Sequence, residues 1–185
     1  MCALLKRRGR DADVSEIEAQ LSSSLGRSLV RLPSPEGTGT QVYAFAHDTL
    51  LTEARLRFGS DLATYEDLLD AWASEYAHDN WPIDTPQYLL APYTRELARR
   101  ARGPATSDAR GGKAMSGALD RLSALARSPS RHALLLRVTG SDYAALTEIR
   151  TAQSLLADQD ALDLQALVEM AAHRHVISIR NCLSS

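Results

Sequence analysis

Basic residues are missing from a long stretch of this chain: between Arg57 and Arg95 there is no Lys or Arg. Asp61, Glu66, Asp67, Asp70, Glu75, Asp79 and Asp84 all fall within it, and Arg95, Arg99, Arg100, Arg102, Arg110 and Lys113 follow soon after. A phosphate backbone needs cations to track it, so the acidic stretch offers nothing to nucleic acid. The two charge blocks read as solvated faces of opposite sign. Aromatic residues are scarce as well, at 5% of 185 residues, whereas 44% of the chain is hydrophobic and Leu and Ala dominate. This balance disfavours a β-sandwich and favours packed helices, because Leu and Ala enter a helix at low entropic cost. Long apolar runs are lacking, far short of the roughly 20 residues that span a bilayer. The cluster Lys6-Arg7-Arg8 follows Met1 to Leu5 instead of preceding an apolar core, the wrong order for a signal peptide. The only cysteines, Cys2 and Cys182, read as free thiols in a reducing, cytoplasmic compartment and not as a disulfide framework.

The length suits one ordinary domain or two small ones. A helix is expected from Asp13, whose carboxylate with Glu16 forms a capping box, with Val14, Ile17, Leu21 and Leu25 on one face and Gly26 as its stop. Residues 28–32 and 41–46 are short β-favouring runs around the turn-rich segment 33–40, the pattern of a β-hairpin. From His47 the reading is almost entirely helical. A short helix is expected over 48–58, and the next is capped by Asp61, with Leu62, Tyr65, Leu69, Trp72 and Tyr76 at 3,4,3,4 spacing. Asn80-Trp81-Pro82 ends it, Thr85-Pro86 starts another, and Pro92 kinks or splits that one. Residues 103–116 read as a flexible linker. Helices over 131–138, 142–157 and 162–178 complete the chain, with Asp142 and Asp163 as caps. The expected fold is mainly α: a partial winged helix (helix, β-hairpin, helix) followed by a solenoid-like helical array. The corresponding segments are 1–58, 59–102, the linker 103–116, and 117–185.

Several fragments imitate chemical motifs without completing them. Gly112-Lys113 lacks the first glycine and the final hydroxyl of a phosphate-binding loop, having Ser107 and Ala114 there. Gly37-Thr38-Gly39 has Val42 at the third glycine position of a dinucleotide fingerprint. His173 and His175 point about 200° apart on a helix and read as a surface pair, not metal ligands. Trp72, Trp81, Tyr88 and Tyr93 read as packing between helices and not as a ligand cage. No catalytic or metal site is expected.

Ala46-His47-Asp48-Thr49-Leu50-Leu51, at the junction of the second strand and the next helix, resembles the Met-His-Asp motif of the winged helix in STAND-class NTPases, the NACHT and NB-ARC signalling ATPases; Ala46 stands where the family has Met. Tyr88-Leu89-Leu90, Tyr93 and Leu97 resemble the helical segment that follows that winged helix. Arg131-His132, Thr139-Gly140-Ser141-Asp142 and residues 144–149 resemble a linker of large actinobacterial NACHT-type proteins. The resemblance spans roughly residues 13–181. It implies that His47 senses the β-phosphate of ADP and that Asp48 caps the helix beside it, in both cases only when an NTPase core completes the pocket. The phosphate-binding loop and the acidic magnesium motif of that core are not in this sequence. No cofactor is therefore expected for the chain itself, with ADP or ATP entering only through a core on another chain.

The resulting expectation is a non-catalytic regulatory or protein-interaction fragment, in the sense of a gene fragment, a degraded paralogue or a split subunit. Its partner would be a protein, a P-loop NTPase core or a helical repeat domain, with no membrane partner. The alternative is a winged-helix DNA-binding transcriptional regulator, motivated by Lys6-Arg7-Arg8-Arg10 with Arg27 and Arg31. The helix that would read DNA, 13–25, carries no Lys or Arg, which weighs against it.

Overall fold

In the computed structural model, residues 13, 15–17, 19, 23, 28–33, 41–103, 109–159 and 163–183 are described. The expected hairpin turn and basic start, most of the first helix, and Cys2 lie outside them. The backbone is 79% helical across the described residues, with one small antiparallel sheet. The chain divides into two units, Met1–Ala73 and Ser74–Ser185.

In the first unit, Ile17 N donates to Asp13 O, placing Asp13 at the start of a helical stretch as its capping pattern predicts. Strands β1 (Leu29–Pro33) and β2 (Gln41–Phe45) pair with Leu29 opposite Phe45 and Val30 opposite Ala44. The ladder is extended at its open end by Ala46 N donating to Ser28 O. His47 occupies a bend, and helix α1 (Asp48–His78) begins at the next residue. The two helices expected here meet within α1 at a kink, Phe58 being the non-helical residue between them. The kink sits beside Gly59-Ser60, a pair that commonly bends helices. The helix boundary read from the sequence at 58 coincides with this kink. Of the 3,4,3,4 stripe, Leu69 and Trp72 are buried, and Leu62 is exposed.

The C-terminus of α1 belongs to the second unit and shows why Asn80-Trp81 ends a helix. Trp81 N donates to Tyr76 O and Asn80 N to Ala77 O, the two crossed bonds of a Schellman motif. The motif requires a left-handed residue, and Asn80, at φ 57°, is the residue type after Gly that adopts it at least cost. Trp81 follows at φ 56°, an uncommon conformation for a bulky side chain, and its indole is buried. The expected Thr85 cap is not a side-chain cap: Thr85 Oγ1 turns back to donate to Pro82 O. A single 3-10 turn, Gln87–Leu89, precedes α2 (Ala91–Ala101). Pro92 lies in the first turn of α2, where its missing N–H costs nothing, so it splits the segment instead of kinking it.

Helix α3 (Ala109–Ala126) begins inside the Gly- and Ser-rich stretch read as a linker, and Gly112-Lys113 lie within it. Helix α4 (Pro129–Thr139) is bounded by local chemistry: Ser128 Oγ accepts from Arg131 N, Pro129 opens the first turn, and Gly140 closes it at φ 69°. Helices α5 (Tyr143–Ala157) and α6 (Leu164–Leu183) follow. Asp163 caps α6 as expected, its Oδ1 accepting from Ala166 N at 3.0 Å. Asp142 precedes α5 but does not cap it with its side chain; the carboxylate pairs with Arg180 instead, a charged partner outcompeting a backbone amide.

Helix α5 organises this unit. It packs against α2, α3, α4 and α6, and α2 also packs on α3. Ala145, Ile149, Ala152, Leu155 and Leu156 of α5 are buried, together with Tyr93 and Leu97 of α2, Leu122 of α3, Leu135 of α4 and Met170 of α6. No described helix is long and apolar enough to cross a membrane.

Candidate functional site

The densest polar chemistry of the second unit lies inside this core. Helix α4 carries Arg131, His132, Leu134 and Leu135 on its inward side, and α5 carries Glu148 between Ala145 and Ala152. A charged residue on each of two apolar stripes brings two charges into the interior, where they must meet or be neutralised. They meet. Arg131 is fully buried and Glu148 is 2% exposed, and Arg131 Nε lies 3.1 and 3.0 Å from the two carboxylate oxygens.

The remaining donors of the guanidinium reach into α2 and the turn before it. Nη1 donates to Leu89 O and Nη2 to Leu90 O, both at 3.0 Å, and Nη2 also to Thr94 Oγ1 at 3.1 Å. Thr94 in turn donates to Glu148 Oε2 at 2.6 Å, closing a ring of hydrogen bonds. Leu89 and Leu90 sit at the junction of the 3-10 turn and α2, where the chain cannot supply a partner to every carbonyl from a continuing helix. Arg131 supplies it. The Trp81 indole covers the guanidinium, its centroid 4.5 Å from Arg131 Cζ, which places the cation over the electron-rich ring face. Thus one arginine ties together the end of α1, the 3-10 turn, α2, α4 and α5.

Burial acts on Glu148 to raise its pKa, but the adjacent Arg131 charge, with His132 and Thr94, more than offsets it and holds the carboxyl below its ordinary 4.5. A depressed carboxyl contributes stability that is full above the unfolded value of 4.5 and is lost as pH falls through the folded value. The second unit should therefore lose urea resistance below pH 4.5 through this group. Urea titrations monitored by circular dichroism should show a shallower loss across that range in Glu148→Gln than in the unaltered chain.

His132 lies beside this cluster, 4% exposed, with Nε2 buried and without a hydrogen-bond partner, 3.7 Å from Glu148 Oε1. Its ring meets that of His173 edge to face, with centroids 5.9 Å apart. His173 is therefore half-buried and in contact with α4, whereas His175 is exposed. The surface pair expected from spacing is half right: the two rings do point apart, but one of them points inward.

Among the sequence candidates, His47 and Asp48 are exposed and lie at the strand–helix junction. Leu50 N donates to His47 O and Thr52 Oγ1 to Asp48 O, so both residues support the first turn of α1 through their backbone. Trp72, Trp81 and Tyr93 are buried and Tyr88 is 48% exposed, so three of the four aromatics pack as expected. Among the described residues no three His, Cys, Asp or Glu side chains converge on a metal position, and Cys182 is free and exposed. The Arg131–Glu148 pair escaped the sequence reading, although its signal was present: a lone charge at a buried helical position on each of two stripes. No protein-family model, curated protein or solved structure matches this chain.

Proposed function

We propose that this chain is a non-catalytic regulatory and protein-interaction module, resembling the winged helix and helical linker of a STAND NTPase. Its partner would be a protein built of packed helices, either an NTPase core or a helical repeat array. The carrying observation is helix α6, which is apolar on two opposite faces. Ala166, Met170 and Ile177 are buried in the second unit. Leu164 (67% exposed), Val168 (67%), Val176 (64%) and Ile179 (48%) form a second stripe on the far side, at spacings of four, eight and three residues. A helix that closes a fold against water normally carries polar residues on that side. An aliphatic row at this spacing forms a ridge suited to the groove of another helix. A solenoid-like array extended by such a partner fits this pattern, because each layer of a solenoid buries the face left by the previous one.

The buried charges support the non-catalytic part of the reading. Arg131 and Glu148 are saturated by partners of their own chain, as groups that hold helices together would be. The winged-helix part is supported by the local order of hairpin, His47 bend and helix. In this reading His47 contributes to a nucleotide pocket only beside an NTPase core. Calorimetric titration of magnesium ATP into the purified chain is the test. No binding heat is expected at micromolar nucleotide, and a micromolar dissociation constant would overturn the proposal.

A further inference from the structure

We propose that the contact between His132 and His173 is a pH-sensitive latch, holding α6 on α4 and α5 while the His173 ring is neutral and releasing it when His173 takes up a proton. This inference rests on the interior of the second unit and is independent of what docks on the outer face of α6. The rings meet edge to face at 5.9 Å, an arrangement that suits two neutral imidazoles and opposes two imidazolium ions. His132 is buried at the seam, and its Nε2 has no hydrogen-bond partner. The Nε2 lies 3.7 Å from Glu148 Oε1, and Glu148 is itself engaged by Arg131 and Thr94, so the His132 ring is fixed in place beside that network.

Of the other charges around the pair, Glu169 favours a charged His173, but burial outweighs it. From α4 itself the neighbour is Arg131, a cation. From α5 it is Glu148, whose charge Arg131 already balances. From α6 it is Glu169, which Arg127, just beyond α3, holds at 2.9 Å; from α2 it is Thr94, which carries no charge. The pKa of His173 is accordingly lowered, first by burial and then by His132, with Glu169 opposing. A histidine depressed in the folded state contributes stability that is present above its unfolded value of 6.5 and lost as pH falls toward the folded one. Such a change lies within the range in which histidine acts as a switch.

Hydrogen exchange on the full chain at pH 7.5 and 5.5, corrected for the intrinsic chemical rate, tests the latch. Peptides of α6 should lose at least about ten-fold in protection at pH 5.5 relative to those of α3, and His173→Gln should lose no more in α6 than in α3. Unchanged α6 protection, equal loss in α6 and α3, or a selective loss that persists in His173→Gln would each overturn the proposal. A second measurement needs no variant. The His173 ring Cε1–H resonance should titrate below 6.5 and together with the α6 opening; a midpoint at or above that value would contradict the latch.

Discussion

Replacing Arg131 with Ala is expected to destabilise the second unit by about 3–5 kcal/mol, the range for breaking a buried ion pair by removing one partner. The loss has several parts. Glu148 would remain charged at 2% exposure with Thr94 as its main support, Leu89 O would lose its Arg131 donor, and Leu90 O would keep only Thr94. Each buried acceptor left without a partner costs about 1–3 kcal/mol. For a unit of this size a loss of 3–5 kcal/mol lowers the midpoint of thermal unfolding by more than about 10 °C. Arg131→Lys should recover little of this. An ammonium cannot present the planar fork that serves two carbonyls, a hydroxyl and a carboxylate at once, nor stack flat on Trp81. Differential scanning calorimetry of the two variants checks both statements.

Trp81→Ala is expected to cost about 3–5 kcal/mol as well, for a different reason. The indole is 4% exposed, and its removal opens a cavity over the Arg131 guanidinium while abolishing the cation–π contact. The backbone contributes in the same direction. Trp81 holds φ 56°, a conformation kept in place by its buried side chain, and Ala retains the steric cost without the packing. Because Trp81 and Arg131 touch, the double variant should fall short of the sum of the singles, whereas Leu122→Ala on α3 should add to either more nearly independently. Urea midpoints of the single and double variants measure the difference.

The elements of this fold were legible where local chemistry sets them. The hairpin followed from its period of two, and the end of α1 from Asn80-Trp81-Pro82. Asp163 as a cap and an interruption at Pro92, by kink or split, followed equally from single residues. Errors arose where tertiary partners decided. Asp142 stands where a cap belongs but is drawn to Arg180, a residue 38 positions away. The inward turn of His173 depends on where α4 lies, which no spacing within α6 encodes. The Arg131–Glu148 pair went unread, although each residue breaks an apolar stripe and so had to find a partner. That the partner is the other, with two carbonyls and an indole besides, depends on five segments meeting at one point.

The central claim is that the buried charges of the second unit hold helices together and are not poised for a ligand. Charges kept for chemistry are commonly a burden on stability, so replacing them leaves stability unchanged or raises it. Structural charges behave oppositely, and they are coupled. The most direct measurement is a double-mutant cycle by urea unfolding with Arg131→Met and Glu148→Leu. Each single change should cost about 3–5 kcal/mol, as a buried pair broken on one side does. The double should cost at least about 1 kcal/mol less than their sum, yet stay below the unaltered chain because the Leu89 carbonyl has lost its Arg131 donor. Single variants as stable as the unaltered chain, or more so, would contradict the account.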